Sequence, residues 1–90
     1  MKYTSSVLKK AEKLLDEAEY IVRYEKGNFH SGYCILEEKK VVVVNKYFET
    51  EAKVSTLIDI IASLKIDTSK LSEQSKEFYL KIAQLKMDQF

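Results

Sequence analysis

Apolar residues recur at intervals of three and four along the first twenty positions of the chain. At about 100° per residue such positions form one stripe along a helix. A hydroxyl oxygen from Thr4, Ser5 or Ser6 can accept a hydrogen bond at the helix start. The pattern therefore predicts an amphipathic helix over about residues 5–19. Its apolar stripe consists of Val7, Leu8, Ala11, Leu14, Leu15 and Ala18.

The next segment, YIVRY at 20–24, permits two interpretations. Ile21 and Val22 continue the helical stripe, and Gly27 is suited to end a single long helix. β-branched and aromatic residues, however, are typical of strands. A hairpin of two strands is marginally stable alone, whereas three strands form a sheet that can carry helices. We therefore favour a strand over about residues 20–25, with the extended helix as the alternative.

Two further β-rich segments follow. A turn at Gly27-Asn28 leads into a predicted strand over about residues 29–37, and a tight turn near Glu38 leads into another over about residues 40–47. The second of these contains VVVV at 41–44, four valines without a polar alternate. Both faces of such a strand require cover. Together with residues 20–25, these segments predict a three-stranded antiparallel meander.

Two helices complete the predicted fold. Thr50 can cap a helix over about residues 51–64, and Ser72 can cap a last helix over about residues 72–88. The fold class is therefore α+β, a single small domain over residues 1–90 with the order helix, three-stranded antiparallel meander, helix, helix. The apolar set of the first of these two helices is Val54, Leu57, Ile58, Ile60, Ile61 and Leu64.

The last helix carries two apolar stripes on nearly opposite sides. One stripe consists of Leu71, Phe78, Ile82 and Leu85. The other consists of Leu80, Ala83, Met87 and Phe90. A terminal helix of a small domain normally buries one face and exposes the other to solvent. The second stripe therefore indicates contact with another chain or burial between two layers, and the alternative is a frayed terminus with scattered apolar residues.

Composition and charge exclude several classes of partner. The 90 residues are 46% hydrophobic and 32% charged, which is typical of a folded globular chain. Fifteen Lys and Arg against fourteen Asp and Glu give a net charge of +1, and the signs alternate along the sequence. We therefore expect neither a nucleic-acid partner nor an anionic membrane surface. Charges within the first ten residues interrupt the apolar run that a signal peptide needs, and a single cysteine cannot form an internal disulfide. We therefore expect a cytoplasmic protein.

The stretch FHSGYCIL at 29–36 contains the single histidine and the single cysteine, His30 and Cys34. In a strand with a rise of about 3.3 Å per residue, their side chains would start roughly 13 Å apart. A Cys–His nucleophile pair needs its two polar atoms within roughly 3 Å. We therefore expect Cys34 to be a small buried hydrophobe and His30 a partly exposed polar residue. They nevertheless remain the two candidates for reactivity.

No cofactor or metal ion is expected from the sequence. Zinc sites need three or four protein ligands, and one histidine with one cysteine do not supply them. Gly27 and Gly32 do not form a phosphate-binding glycine loop.

The segment from Gly32 to Leu64 resembles the part of small zinc peptidases that includes the active-site helix. It has a predicted strand, a turn, the strand VVVVNK and then an apolar helix. In that family the helix carries H-E-x-x-H, in which two histidines bind zinc and the glutamate activates water. Here the helix reads TLIDIIASL and contains no histidine. The resemblance covers about a third of the chain and implies a related scaffold without the zinc or the catalysis.

These observations predict a non-enzymatic protein-interaction module that associates with itself, as a homodimer, or with another protein. The predicted interface is the second stripe of the last helix. Two alternatives remain: a small-molecule binder whose cavity is lined by tyrosines, and a small enzyme that uses Cys34.

Overall fold

The computed structural model describes residues 2–26 and 40–87, with side chains described as far as residue 85. Along these residues the elements are three α-helices, two strands and one 3-10 turn. Helix α1 spans Ser5–Glu17, strand β1 Ile21–Glu25, strand β2 Val41–Asn45, helix α2 Thr50–Ser63, the 3-10 turn Thr68–Lys70 and helix α3 Glu73–Met87. The chain therefore forms a small α+β domain.

The two strands are parallel and are hydrogen-bonded directly to each other. The register pairs Ile21 with Val41 and continues to Glu25 with Asn45. The ladder extends at both ends, where Ile21 N–H donates to the Lys40 carbonyl at 2.7 Å and Lys46 N–H donates to the Glu25 carbonyl at 3.1 Å. The predicted antiparallel meander is therefore wrong, because a meander would place a middle strand between these two.

The described residues contain no third strand, and the predicted strand at 29–37 lies outside them. Parallel neighbours require a connection of about a dozen residues or more, and residues 26–40 meet that requirement. The unbroken valine run is itself typical of parallel strands, which are buried on both faces. The sequence pattern predicted strand segments but did not specify which segments pair.

The two faces of the sheet differ in what they contact. Val42 and Val44 are completely buried in the core beneath the helices, and their pairing partners Val22 and Tyr24 pack against the same core. On the opposite face Val41 is also buried, at 5% exposure, whereas Ile21 is 54% exposed. As predicted, the valine strand has buried side chains on both faces, namely Val41 on one face and Val42 and Val44 on the other.

The helices form the remaining layers. Helix α1 packs against β1 and α2, helix α2 packs against β2, and α3 packs against both α1 and α2. The predicted inner stripe of α3 is buried at Phe78 and Ile82, and Leu71 just before the helix is buried as well. Helix α2 contributes the largest share of the core, since Val54, Leu57, Ile58, Ile60 and Ile61 are all buried.

Two of the three helices begin at a predicted capping residue. Thr4 caps α1, because its Oγ1 accepts a hydrogen bond from Val7 N–H at 3.4 Å. Ser72 caps α3, because its Oγ accepts from Ser75 N–H at 3.3 Å. The predicted Thr50 cap is wrong: the cap position of α2 is Glu49, whose extended backbone ends the preceding loop without a side-chain cap bond.

A left-handed residue ends α1 and directs the chain into β1. Glu19 has a φ of 68°, and the N–H groups of Glu19 and Tyr20 donate to the carbonyls of Asp16 and Leu15 at 3.0 and 2.8 Å. This is the Schellman arrangement, in which glycine is usual at the left-handed position. The turn separates the helix from the strand, and it explains why the long-helix alternative for residues 20–25 is not found.

We expect the backbone conformation at residue 19 to decide the effect of substitutions there. Glu19→Gly and Glu19→Val both remove the exposed ion pair to Lys70 at 2.8 Å. Valine is disfavoured at positive φ, so Glu19→Val should melt roughly 4–8 °C below Glu19→Gly. Thermal unfolding followed by circular dichroism measures the difference. Equal melting temperatures for the two variants would show that the left-handed backbone conformation does not decide stability at this position.

Candidate functional site

The outer face of α3 is the surface that the sequence singled out. We use this name for Leu80 and Ala83, the two residues of the predicted second stripe whose side chains are described. Leu80 follows Phe78 by two positions, which at about 100° per residue places it on the opposite side of the helix. Accordingly Phe78 is 6% exposed and Leu80 is 65% exposed. Ala83 is exposed as well.

The other predicted site residues lie outside the described part of the chain. This applies to the Met87 side chain and to Phe90, which complete the predicted interface stripe. It applies equally to His30 and Cys34, the two candidates for reactivity. The structure therefore brings Leu80 and Ala83 together on one exposed face and provides no geometry for the remaining four.

Two further large apolar side chains are exposed away from α3. Ile21 lies on the sheet face that points away from the helices, and Tyr47, 64% exposed, lies in the loop after β2. Tyr47 N–H donates to Asn45 Oδ1 at 2.9 Å, and the Lys46 ammonium lies 5.3 Å from the centre of the Tyr47 ring. Single exposed apolar residues of this kind are normal in a folded protein.

A polar cluster at Tyr24 joins three elements of the fold. The Tyr24 hydroxyl on β1 donates a hydrogen bond to the Glu12 carboxylate on α1. The Lys53 ammonium on α2 lies 5.0 Å from the centre of the Tyr24 ring. Burial, followed by the hydrogen bond to Glu12, raises the pKa of Tyr24 above its ordinary value. The phenol therefore keeps its proton at neutral pH and acts as a donor, not as a base.

The Tyr24 cluster was not predictable from the sequence pattern. Glu12 was predicted to lie on an amphipathic helix and Tyr24 on a strand, but nothing in their spacing indicates that α1 crosses the sheet at Tyr24. The pairing depends on how the helix packs against β1, which is a tertiary contact. An inward-facing tyrosine beside valines was the one available clue, because a buried phenol usually has a hydrogen-bond partner.

A second polar contact connects α1 to the beginning of α3. Ser72 N–H donates to the Glu17 carboxylate at 2.9 Å. This backbone hydrogen bond is the main reason why the pKa of Glu17 is lowered. Ser75 beside it is 4% exposed, and the Ser72 hydroxyl donates to Ser75 Oγ at 3.3 Å. The carboxylate thus fixes the start of α3 against the end of α1.

A cleft of about 290 Å³ lies between α1 and α3. Its lining consists of Lys10, Lys13, Gln74, Ser75, Glu77, Phe78 and Lys81. Three ammonium groups and one carboxylate therefore line it. A tyrosine-lined cavity was the predicted alternative binding site, and this cleft has no tyrosine among the lining residues that the structure describes.

The described ranges, 2–26 and 40–87, contain neither a metal site nor a membrane-spanning helix. Within them, no group of three or more His, Cys, Asp or Glu side chains is arranged to hold a metal ion. None of the helices in these ranges has the length and apolar character needed to cross a membrane.

Comparisons with known proteins give no relative from which a function can be transferred. No family model, no curated protein and no solved structure matches the chain.

Proposed function

We propose that this chain is a non-enzymatic interaction module that associates with a second copy of itself through the outer face of α3. The observation that carries the proposal is the apolar outer face of α3, on which Leu80 is 65% exposed and Ala83 is exposed one turn further on, whereas the opposite side of the helix is buried in the core. A helix that only closed a monomeric core would be expected to carry polar residues at that position.

A second copy fits this face because a large and a small residue lie one turn apart on it. In an antiparallel pair of α3 helices related by a two-fold axis, Leu80 of one copy lies opposite Ala83 of the other. The leucine then occupies the space above the alanine, and the same contact occurs twice. Antiparallel packing also places the N-terminus of each helix dipole beside the C-terminus of the other.

The size of this contact sets the expected affinity. A single pair of helices buries less than the area of about 1,200–2,000 Å² that is usual for stable complexes. We therefore expect a dimer with a dissociation constant in the micromolar range or weaker, which forms at high protein concentration. We also propose a cytoplasmic location, on the basis of the single cysteine.

Charged substitutions on the outer face of α3 should abolish the association. In the double variant Leu80→Glu, Ala83→Glu, two carboxylates per chain would enter an apolar contact, which is costly without a partner cation. Both side chains are exposed in the monomer, so we expect the variant to stay folded. Sedimentation equilibrium at a concentration where the wild type is dimeric should give the monomer mass of 10.5 kDa for the variant.

Ala52→Glu provides the matched control, because Ala52 is also an exposed helical alanine but lies in the first turn of α2. A glutamate near a helix N-terminus is well tolerated. The control should associate as the wild type does. If the double variant keeps the wild-type mass while its circular dichroism shows a folded chain, the outer face of α3 is not the interface.

A further inference from the structure

The cleft between α1 and α3 has two walls of different chemistry. Its polar rim carries ammonium groups from both helices, namely Lys10 and Lys13 from α1 and Lys81 from α3. Its floor contains Phe78 and Ser75, which are 6% and 4% exposed. A concave site with an apolar floor and a few polar groups at its rim is the usual form of a small-ligand site.

The charge inside the cleft is unbalanced. The lining carries three lysines and one glutamate, Glu77, and the Glu17 carboxylate lies 3.9 Å from Lys13, so one positive charge remains in surplus. Lys13 is shared between Glu17 at 3.9 Å and Gln74 Oε1 at 3.4 Å. In the described parts of the chain, neither Lys10 nor Lys81 forms an ion pair within 4.0 Å. Elsewhere on the surface, lysines such as Lys70 and Lys76 are paired with glutamates.

We propose that this cleft binds a small phosphomonoester that carries an apolar group. The phosphate would lie between Lys10 and Lys81, and the apolar group would contact the ring of Phe78. A phosphomonoester offers three acceptor oxygens to the two ammonium groups, against the two of a carboxylate.

The size of the cleft limits the ligand. Its volume of about 290 Å³ is at the lower end of the range for small-molecule sites, about 300–1,000 Å³. A phosphate with one ring or a short chain fits this space, whereas a polynucleotide does not. The site is on a different side of α3 from Leu80 and Ala83, so this inference is independent of the proposed self-association.

Phenyl phosphate is a suitable probe because it combines both chemical features. We expect its addition to shift the backbone amide signals of Gln74, Ser75 and Phe78 in ¹H–¹⁵N spectra, with saturation at millimolar concentration. Inorganic phosphate should bind more weakly, because it has no group to contact Phe78. The double variant Leu80→Glu, Ala83→Glu should bind phenyl phosphate as the wild type does, which separates this site from the interface.

Lysine variants test whether the ammonium groups of Lys10 and Lys81 hold the phosphate. Lys10→Gln and Lys81→Gln should each weaken binding of phenyl phosphate by roughly fivefold, since each removes one exposed charge contact. Lys9→Gln removes the same charge from an exposed position of α1 outside the cleft and should leave the affinity unchanged. Equal weakening in all three variants, or no amide shifts at the cleft with the wild type, would overturn the proposal.

Discussion

Replacing Leu57 with alanine is expected to lower the free energy of unfolding by about 2–5 kcal/mol, the range typical of buried leucine truncations. Leu57 is completely buried in the core, on the helix that packs against α1, α3 and β2. The cavity left by the missing carbons would therefore lie where all layers of the fold meet. A domain of 90 residues has about 5–13 kcal/mol in total, so this one change would remove a large fraction.

Urea denaturation followed by circular dichroism measures the loss at Leu57. Leu80→Ala is the matched control, because the same atoms are removed from a side chain that is 65% exposed. At a concentration where the chain is monomeric, the control should change the free energy of unfolding by less than about 0.5 kcal/mol. Comparable losses in the two variants would show that α2 is not the centre of the core.

Replacing Tyr24 with phenylalanine is expected to lower the free energy of unfolding by about 1–2 kcal/mol. The substitution leaves the Glu12 carboxylate without the hydroxyl that donates to it, and hydrogen bonds to charged groups are worth about 1.5–3 kcal/mol when buried. Because the cluster is only partly buried, we expect a loss of free energy at the lower end of that range. Tyr47→Phe is the control, because Tyr47 also has a lysine over its ring but is 64% exposed.

The stability difference between wild type and Tyr24→Phe should also depend on pH. The pKa of Tyr24 is raised in the folded state, so the folded chain holds this proton more tightly than the unfolded chain, whose tyrosine titrates near 10.0. The contribution of Tyr24 is therefore complete below about pH 10 and is lost as the pH rises further. Urea denaturation at about pH 8 and pH 11 should show the difference shrinking. A difference that stays constant or grows would contradict the assigned hydrogen bond.

The sequence predicted local elements more successfully than their arrangement. Helix α1 begins where the apolar stripe and the Thr4 cap indicated, and residues 21–25 and 41–45 are strands because β-branched and aromatic residues favour that conformation. The pairing of the strands could not be predicted in the same way, because it depends on contacts between distant segments. The antiparallel meander assumed short hairpins, whereas the valine run at 41–44 pairs in parallel with β1.

The candidate site, too, was predictable only where it depends on the geometry of a single helix. Helical periodicity identified Leu80 and Ala83 as lying opposite the buried side of α3, since this depends only on the rotation of about 100° per residue. The Tyr24 cluster and the lysine cleft could not be predicted in that way. Each depends on how α1 packs against another element, and no spacing within one segment encodes that packing.

Self-association through α3 is the central functional claim, and the native mass of the wild-type chain tests it most directly. Light scattering should be recorded across a concentration series from about 10 μM to about 1 mM, which spans the expected dissociation constant. Self-association predicts a mass that rises from 10.5 kDa toward twice that value as the concentration increases. A mass that remains at 10.5 kDa across the whole series would contradict it.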